Sequence, residues 1–314
     1  MDGEMTDEVR VWRKAIPAGR DRAQSRWLVW VTGALLVWTS EWSLRLAFPV
    51  ASEFPSFVLG PVGVSLVFAV AVWALKAATP AAAFCGGMIC LLLTLWTSDP
   101  ATSIARTGLT PLAVLFLLTF LTTRAGKRRK ARAGLAEGRR GRSAAQVIAN
   151  LSVAALCVTP WADAVTYRIM RSCCPGMSYV WDGWTMKIIC LAALIEATAD
   201  TVSSEIGQAF GGQPVMLLSL KRVEPGTDGA VSLIGSGAGI LAGVVVAGVG
   251  MWAFTLDRVG AEIALGGGVC GLFFDSLLGA TVERRGWLGN DLVNFSSTLF
   301  AAVAAALMYQ YWVL

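Results

Sequence analysis

Three carboxylates, Glu196, Asp200 and Glu205, stand at the end of an apolar run in E-A-T-A-D-T-V-S-S-E-I-G-Q-A-F-G-G. A charge at membrane depth costs roughly 2.5–3.5 kcal/mol, so acids in such a run read first as functional. On a helix Glu196 and Asp200 are four residues apart and share a face. Glu205 joins that side only if the helix ends or bends near Ser203-Ser204. Carboxylates so placed could hold Mg²⁺, which takes one or two of them together with phosphate oxygens. The plainer reading is a helix end with solvated acids.

Lys221-Arg222 and the turn E-P-G-T-D-G (Glu224 to Gly229) follow. Pro-Gly and Asp-Gly pairs make tight turns, and backbone N–H groups at such turns form anion-binding concavities. Lys221 could neutralise a phosphate; an ordinary cytoplasmic loop would look the same. A second acidic group lies in F-F-D-S-L-L-G-A-T-V-E, with Asp275, Ser276 and Glu283, and then N-D-L-V-N brings Asn290, Asp291 and Asn294. Asp275 is inside an apolar stretch and must be paired or face a polar cavity. Asn290 and Asp291 also suit a helix N-cap. A third group precedes these in sequence: Arg139 and Arg140 close a basic run, and Gln146 and Asn150, four apart, face one way in the apolar helix that follows. Hydrogen bonding between helices is the structural alternative for that pair.

The elements that carry these groups are membrane helices. The chain has 314 residues, 55% hydrophobic and only 15% charged, where soluble domains carry about 25% charged residues. The apolar runs do not alternate as barrel strands would. They fall at roughly 27–47, 56–75, 80–97, 109–123, 144–160, 185–199, 231–254, 261–281 and 294–313. The pattern predicts an all-α polytopic membrane protein of about nine transmembrane helices. Residues 1–26 form a polar extension without signal-peptide character, and 27–314 one helical membrane domain. Basic residues mark the cytoplasmic side: six Lys/Arg in 1–26 and nine in the loop 124–142. Nine spans with the N-terminus inside place both on that face, along with Lys221, Arg222, Arg284 and Arg285. All three polar groups then meet the cytoplasm, which supplies nucleotides and Mg²⁺. Trp27, Trp73, Trp96, Trp161, Trp184, Trp287 and Trp312, at segment edges, suggest interfacial anchors.

Histidine is absent, which excludes His bases, Ser-His-Asp triads and His-ligated zinc. The seven cysteines form no C-x-x-C pair; Cys173-Cys174 is a vicinal pair in a loop without partner ligands. The late glycines suit close helix packing, and gaps they line would admit a lipid chain.

From about Lys76 to Asn294 the chain resembles the integral membrane family that includes plant phytyl-phosphate kinase and animal transmembrane protein nineteen. The matching pieces are L-K-A-A-T-P-A-A-A-F-C-G, G-R-S-A-A-Q-V-I-A-N, A-T-A-D-T-V-S-S-E-I-G, V-E-P-G-T-D-G-A-V-S and G-L-F-F-D-S-L-L-G-A-T-V-E, in that order. The 200–229 pattern is also faintly similar to CTP-using phytol and dolichol kinases, through Asp200, Gly207, Gly211, Lys221, Glu224, Gly226 and Thr227. Val202 stands where the family often has Trp, and the last motif is less Asn-rich. The resemblance implies CTP-dependent phosphorylation of an isoprenoid monophosphate such as phytyl, farnesyl or geranylgeranyl phosphate, at the cytoplasmic face. It implies catalytic Asp200, Glu205 and Lys221, and Mg²⁺ at Asp200, Glu205, Asp275 and Asp291. Phosphate or nucleotide contacts would come from Arg139, Arg140, Gln146, Asn150, Gly207, Lys221, Glu224, Gly226, Thr227 and Gly229. Glu196, Ser204, Ser276, Glu283, Asn290 and Asn294 would complete the polar surroundings. The expected partners are the lipid phosphate, the nucleotide and membrane lipids, with no nucleic acid. Alternatives are a prenol kinase, a CTP-dependent cytidylyltransferase, or an ion-coupled transporter or scramblase.

Overall fold

A computed structural model describes residues 16–98, 103–132, 141–173 and 183–312. Arg139, Arg140 and Cys174 lie outside the described residues, as do the first fifteen. The helices are α1 (Ala18–Ala51), α2 (Pro55–Ala74), α3 (Pro80–Thr97), α4 (Leu109–Arg124), α5 (Lys127–Arg132), α6 (Ala144–Cys157) and α7 (Pro160–Cys173). They continue with α8 (Gly183–Phe210), α9 (Leu233–Phe254), α10 (Arg258–Leu278) and α11 (Asn290–Trp312). A five-residue π turn, Gly279–Glu283, prolongs α10.

Among the described residues, each of the nine expected apolar segments falls on a helix. Five of these helices are long and apolar enough to cross a membrane: α2, α3, α9, α10 with its π turn, and α11. A sixth span results if α6 and the start of α7, bent by 76°, count as one. The bend follows from Pro160, which has no N–H to continue the helix.

Local chemistry sets the helix starts. Thr79 caps α3, accepting from the Ala82 N–H at 3.3 Å, with Pro80 in the first turn. Ser143 and Gln146 form a reciprocal capping box on α6: the Gln146 N–H donates to Ser143 Oγ, and the Ser143 N–H to Gln146 Oε1. Ser232 caps α9 and Asp257 caps α10. At α11 the Gly289 carbonyl accepts from the Val293 N–H, so Gly289, and not Asn290 or Asp291, holds the cap position.

Helix α8 is the hub, with α4, α6, α9, α10 and α11 packed around it. Its residues from Ile188 to Ala199 are buried on every side, as expected for a helix apolar all round. The late glycines are packing positions. A Cβ on Gly239 would stand 2.9 Å from Ser203 Cβ, one on Gly267 2.8 Å from the Ala301 carbonyl, and one on Gly271 2.6 Å from Glu196 Cγ. These seams have no room for a lipid chain.

The expected boundary at residue 26 falls inside α1, which starts at Ala18 and docks on the turn before α11. Arg20 donates to the Gly286 carbonyl at 3.0 Å, and Gln24 both donates to the Trp287 carbonyl at 2.7 Å and accepts from the Gly289 N–H at 2.8 Å. The tryptophans divide. Trp27, Trp73, Trp287 and Trp312 are exposed on the outer surface, as anchors would be. Trp96 donates to Ser43 Oγ, Trp161 packs on Trp38, and Trp184 on Tyr309, so these serve helix contacts.

Candidate active site

A polar cavity of about 210 Å³ opens where α8, the 214–232 connection, the end of α10 and the start of α11 meet. Helix α8 contributes Asp200, Ser203, Ser204, Gly207 and Gln208. The connection contributes Pro225 to Ser232, α10 with its π turn contributes Asp275, Ser276 and Glu283, and α11 contributes Asn290 and Asn294. Residues far apart in sequence thus line one space.

Two close approaches hold it open on a fixed frame. Helices α8 and α9 cross through small residues: a Cβ on Gly235 would lie 2.7 Å from the Ser203 carbonyl, and one on Gly207 3.0 Å from Ser232 Oγ. The connection between them folds back as a short antiparallel ribbon, β1 (Val215–Met216) against β2 (Ala230–Val231). The turn that enters β2 then lies backbone to backbone on the π turn. Gly229 has φ +72°, and a Cβ there would collide with the backbone of Ala280; one on Gly279 would stand 2.6 Å from the Gly229 nitrogen. Only glycine fits both the left-handed backbone and the contact.

Across the cavity Asp200 and Asp275 lie within reach of each other. Glu283 also lines the space, and Arg142 acts on Asp200. Glu196 sits one turn deeper, 1% exposed, against Ser297 and Thr298. Asp275 Oδ1 and Glu196 Oε2 are buried with no hydrogen-bond partner among the described residues. An orphaned carboxylate oxygen in a polar cavity is what a bound cation or water would satisfy. The donor set fits Mg²⁺: two facing carboxylates, with the remaining positions left to water and phosphate oxygens. Among the described residues, no group of three or more His, Cys, Asp or Glu is arranged to hold a metal alone. In the loop, burial pushes the Asp228 carboxyl up to about 6, against the pull of Arg284.

The structure thus brings together Asp200, Ser204, Gly207, Gly226, Thr227, Gly229, Asp275, Ser276, Glu283, Asn290 and Asn294. Others are placed elsewhere. Helix α8 continues unbroken through Ser203-Ser204 to Phe210, so helical spacing turns Glu205 about 140° away from Asp200. Glu205 forms a buried ion pair with Lys130, which also donates to the Thr123 carbonyl at 2.9 Å at the end of α4. Asp291 accepts from Ser25 Oγ at 2.6 Å and does not line the cavity. Lys221 and Glu224 are exposed outside it. Gln146 is engaged in the α6 cap; Asn150 donates to the Gln146 carbonyl at 2.8 Å and accepts from Asn294 at 3.4 Å. Both line a separate cavity, which also holds Arg142 and Thr201.

Sequence reasoning gave no site role to Arg142, Ser203, Asp228 or Ser232. Arg142 was hidden in a basic run explained by topology. The signal for Ser203 and Ser232 was their spacing to Gly207 and Gly235, small residues that bring two helices close.

Residues 63–302 match the model of the family described as integral membrane protein DUF92. The chain belongs to that family. The chain is also similar to Protein VTE6, chloroplastic, of Arabidopsis thaliana, 28% identical over 207 residues, which cover 65% of this chain and 59% of the plant protein. An uncharacterized membrane protein of Synechocystis sp. is 29% identical over 198 residues, covering 60% of this chain and 69% of its own. One from Methanocaldococcus jannaschii is 34% identical over 119 residues, so the match spans 38% of this chain and half of that relative. The DUF92 match covers every residue that lines the acidic cavity. No solved structure matches the chain.

Proposed function

We propose that this DUF92 protein is a membrane kinase that transfers a phosphoryl group from a nucleotide, CTP by the family resemblance, to an isoprenoid monophosphate. One observation carries the reading. The last turns of α8, the 214–232 connection and the segment from Asp275 to Asn294 line one cavity that holds two aspartates in reach of each other, Asp200 and Asp275, with the Gly226–Gly229 turn in its wall. The membership of the DUF92 family and the similarity to the plant protein VTE6 support it.

Asp200 and Asp275 would hold Mg²⁺, which when bound neutralises charge on the transferring phosphoryl group. The Gly226–Gly229 turn has left-handed glycines at both ends, with φ +85° and +72°, and such turns aim backbone N–H groups at an anion. Asn290 and Asn294 add side-chain amides to the lining from the start of α11. Phosphoryl transfer asks mainly for positioning and charge stabilisation. An acceptor that is already an ionised phosphate needs no strong base, which suits a chain without histidine. Positive-inside counting over nine spans would put the 200–230 and 282–293 connections, which contribute to this lining, on the cytoplasmic side.

The test is transfer itself. Purified protein in lipid nanodiscs, given γ-labelled CTP and phytyl, farnesyl or geranylgeranyl phosphate, is expected to yield the labelled diphosphate. Monophosphate formed from a prenol, or a CDP-lipid, would move the assignment to those reactions. No transfer with any nucleotide would overturn it.

A further inference from the structure

A second cavity, of about 70 Å³, lies on a neighbouring flank of α8, where Ala197 and Thr201 line it. Its walls are apolar: Phe68 and Val72 of α2, Leu115 and Phe116 of α4, Val147 and Leu151 of α6. At one end the lining changes to Arg142, Gln146, Asn150 and Thr201. The cavity is therefore apolar with a cationic, hydrogen-bonding mouth.

That mouth adjoins the acidic cavity. Thr201 follows Asp200 directly, Asn150 is bonded to Asn294 of the acidic wall, and Arg142 acts on Asp200. Arg142 is held by its backbone: its N–H donates to the Ala77 carbonyl at 2.9 Å, and its carbonyl accepts from Thr79 at 3.0 Å. Gly141 makes the approach possible, with φ +71° and room for no Cβ within 2.8 Å of the Lys76 carbonyl. On the outer side α2 and α4 present Leu66, Val67, Val70, Leu117 and Leu121, all more than half exposed, where hydrocarbon would surround them. Cores are normally packed without such voids. A water needs roughly 10–15 Å³ of such space, so the cavity has room for about five methylene-sized groups, close to one isoprene unit.

We propose that this cavity receives the first isoprene unit of the lipid substrate, with its phosphate at Arg142 between the two cavities and the rest of the chain leaving between α2 and α4 into the bilayer. The assignment rests on the reading of the chain as a lipid-phosphate kinase, and it separates acceptor from donor: a nucleotide has no apolar tail for these walls. The late glycine seams, which are filled, are excluded as the lipid path.

The test uses the full chain in nanodiscs and a farnesyl monophosphate carrying a diazirine in its first isoprene unit. Photolabelled peptides are expected from the cavity walls on α2, α4 and α6, and excess unlabelled farnesyl phosphate should suppress the labelling. Gly86→Leu, where an added Cβ stands 3.6 Å from Phe68 and the rest of the side chain fills the cavity, should cut labelling at least tenfold. Its nucleotide-dependent thermal stabilisation should stay at the wild-type value. Arg142→Gln should weaken binding of farnesyl phosphate but not of farnesol. Labels confined to α9–α11, or labelling that does not saturate, would overturn the assignment even if transfer is observed. Saturable labelling of the cavity without transfer by any nucleotide would uphold the lipid site and overturn the kinase reading.

Discussion

Glu205 is predicted to serve the fold and not the chemistry, and its partner Lys130 makes the distinction measurable. The two side chains are 12% and 4% exposed, and Lys130 also satisfies the Thr123 carbonyl at the end of α4. Lys130→Ala leaves a buried carboxylate uncompensated, a loss of about 3–5 kcal/mol. At roughly 2–4 °C per kcal/mol, the apparent melting temperature should fall on the order of 10 °C. Glu205→Gln strands the lysine instead and should also destabilise. The double variant Lys130→Met/Glu205→Leu replaces the pair by apolar groups of similar volume and should recover most of the loss, because the desolvation of both charges disappears with them. The assay is built into the chain: Cys85, Cys90 and Cys190 are buried and free, so a thiol-reactive dye reports unfolding in detergent. Every variant that folds should keep its stabilisation by Mg²⁺ and CTP. A Glu205→Gln protein of wild-type stability that no longer responds to Mg²⁺ and CTP would refute the reasoning and return Glu205 to the metal site.

Asp200→Asn and Asp275→Asn should each fold and lose Mg²⁺-dependent nucleotide binding by more than the roughly 10–100-fold that an outer-shell loss costs a metal site, read by the same stabilisation assay. Gly229→Ala should abolish nucleotide stabilisation, because the left-handed backbone costs about 1–2 kcal/mol and the methyl meets the Ala280 backbone, which has no rotamer to move. Gly212→Ala is the control: its φ is +68° with nothing within 4 Å, so it bears the backbone cost alone and should keep nucleotide binding. Asp228 is held protonated up to a pH of about 6 in the folded chain, above its ordinary value of 3.8. Between those values the folded state binds a proton that the unfolded chain has released, so this group's contribution to stability falls as pH rises through the window and stays level above it. Asp228→Asn should therefore gain in melting temperature relative to wild type between pH 4 and 6.5, with the difference constant from there to pH 8. A difference independent of pH would show that Asp228 is not buried in this way.

The helical frame was legible because its signals are local. Thr79-Pro80 marks the start of α3, Ser143 with Gln146 that of α6, and long apolar runs do the rest. Helix α8 was harder. The apolar run stops at Ala199, yet the helix continues to Phe210, because its polar last turns find partners in tertiary space: Lys130 for Glu205, the acidic cavity for Asp200. No spacing rule within the segment records that Lys130 lies on a short helix 75 residues earlier. The glycines were legible as packing residues in kind but not in their partners, since a seam needs two helices and the sequence displays one at a time.

The acids show what separates a site from a scaffold here. Glu205, Asp291, Asp200 and Asp275 all stand at or near helix ends facing the same side of the protein, and by residue type they are equivalent. The structure divides them by what surrounds the carboxylate. Glu205 has a lysine and Asp291 a serine hydroxyl, so each is satisfied within the fold. Asp200 and Asp275 have each other, and one oxygen of Asp275 has no partner among the described residues. Two facing carboxylates repel unless something positive lies between them. The cation that acts on Asp200 is Arg142, and it lines the neighbouring apolar cavity. Under the proposed function, a bound cation and an anionic lipid head group would together satisfy both needs: the metal would offset the aspartates, and the phosphate would take up Arg142. Binding of Mg²⁺ with nucleotide and binding of lipid phosphate should therefore favour each other, and the acidic pair and the arginine would then work as one site.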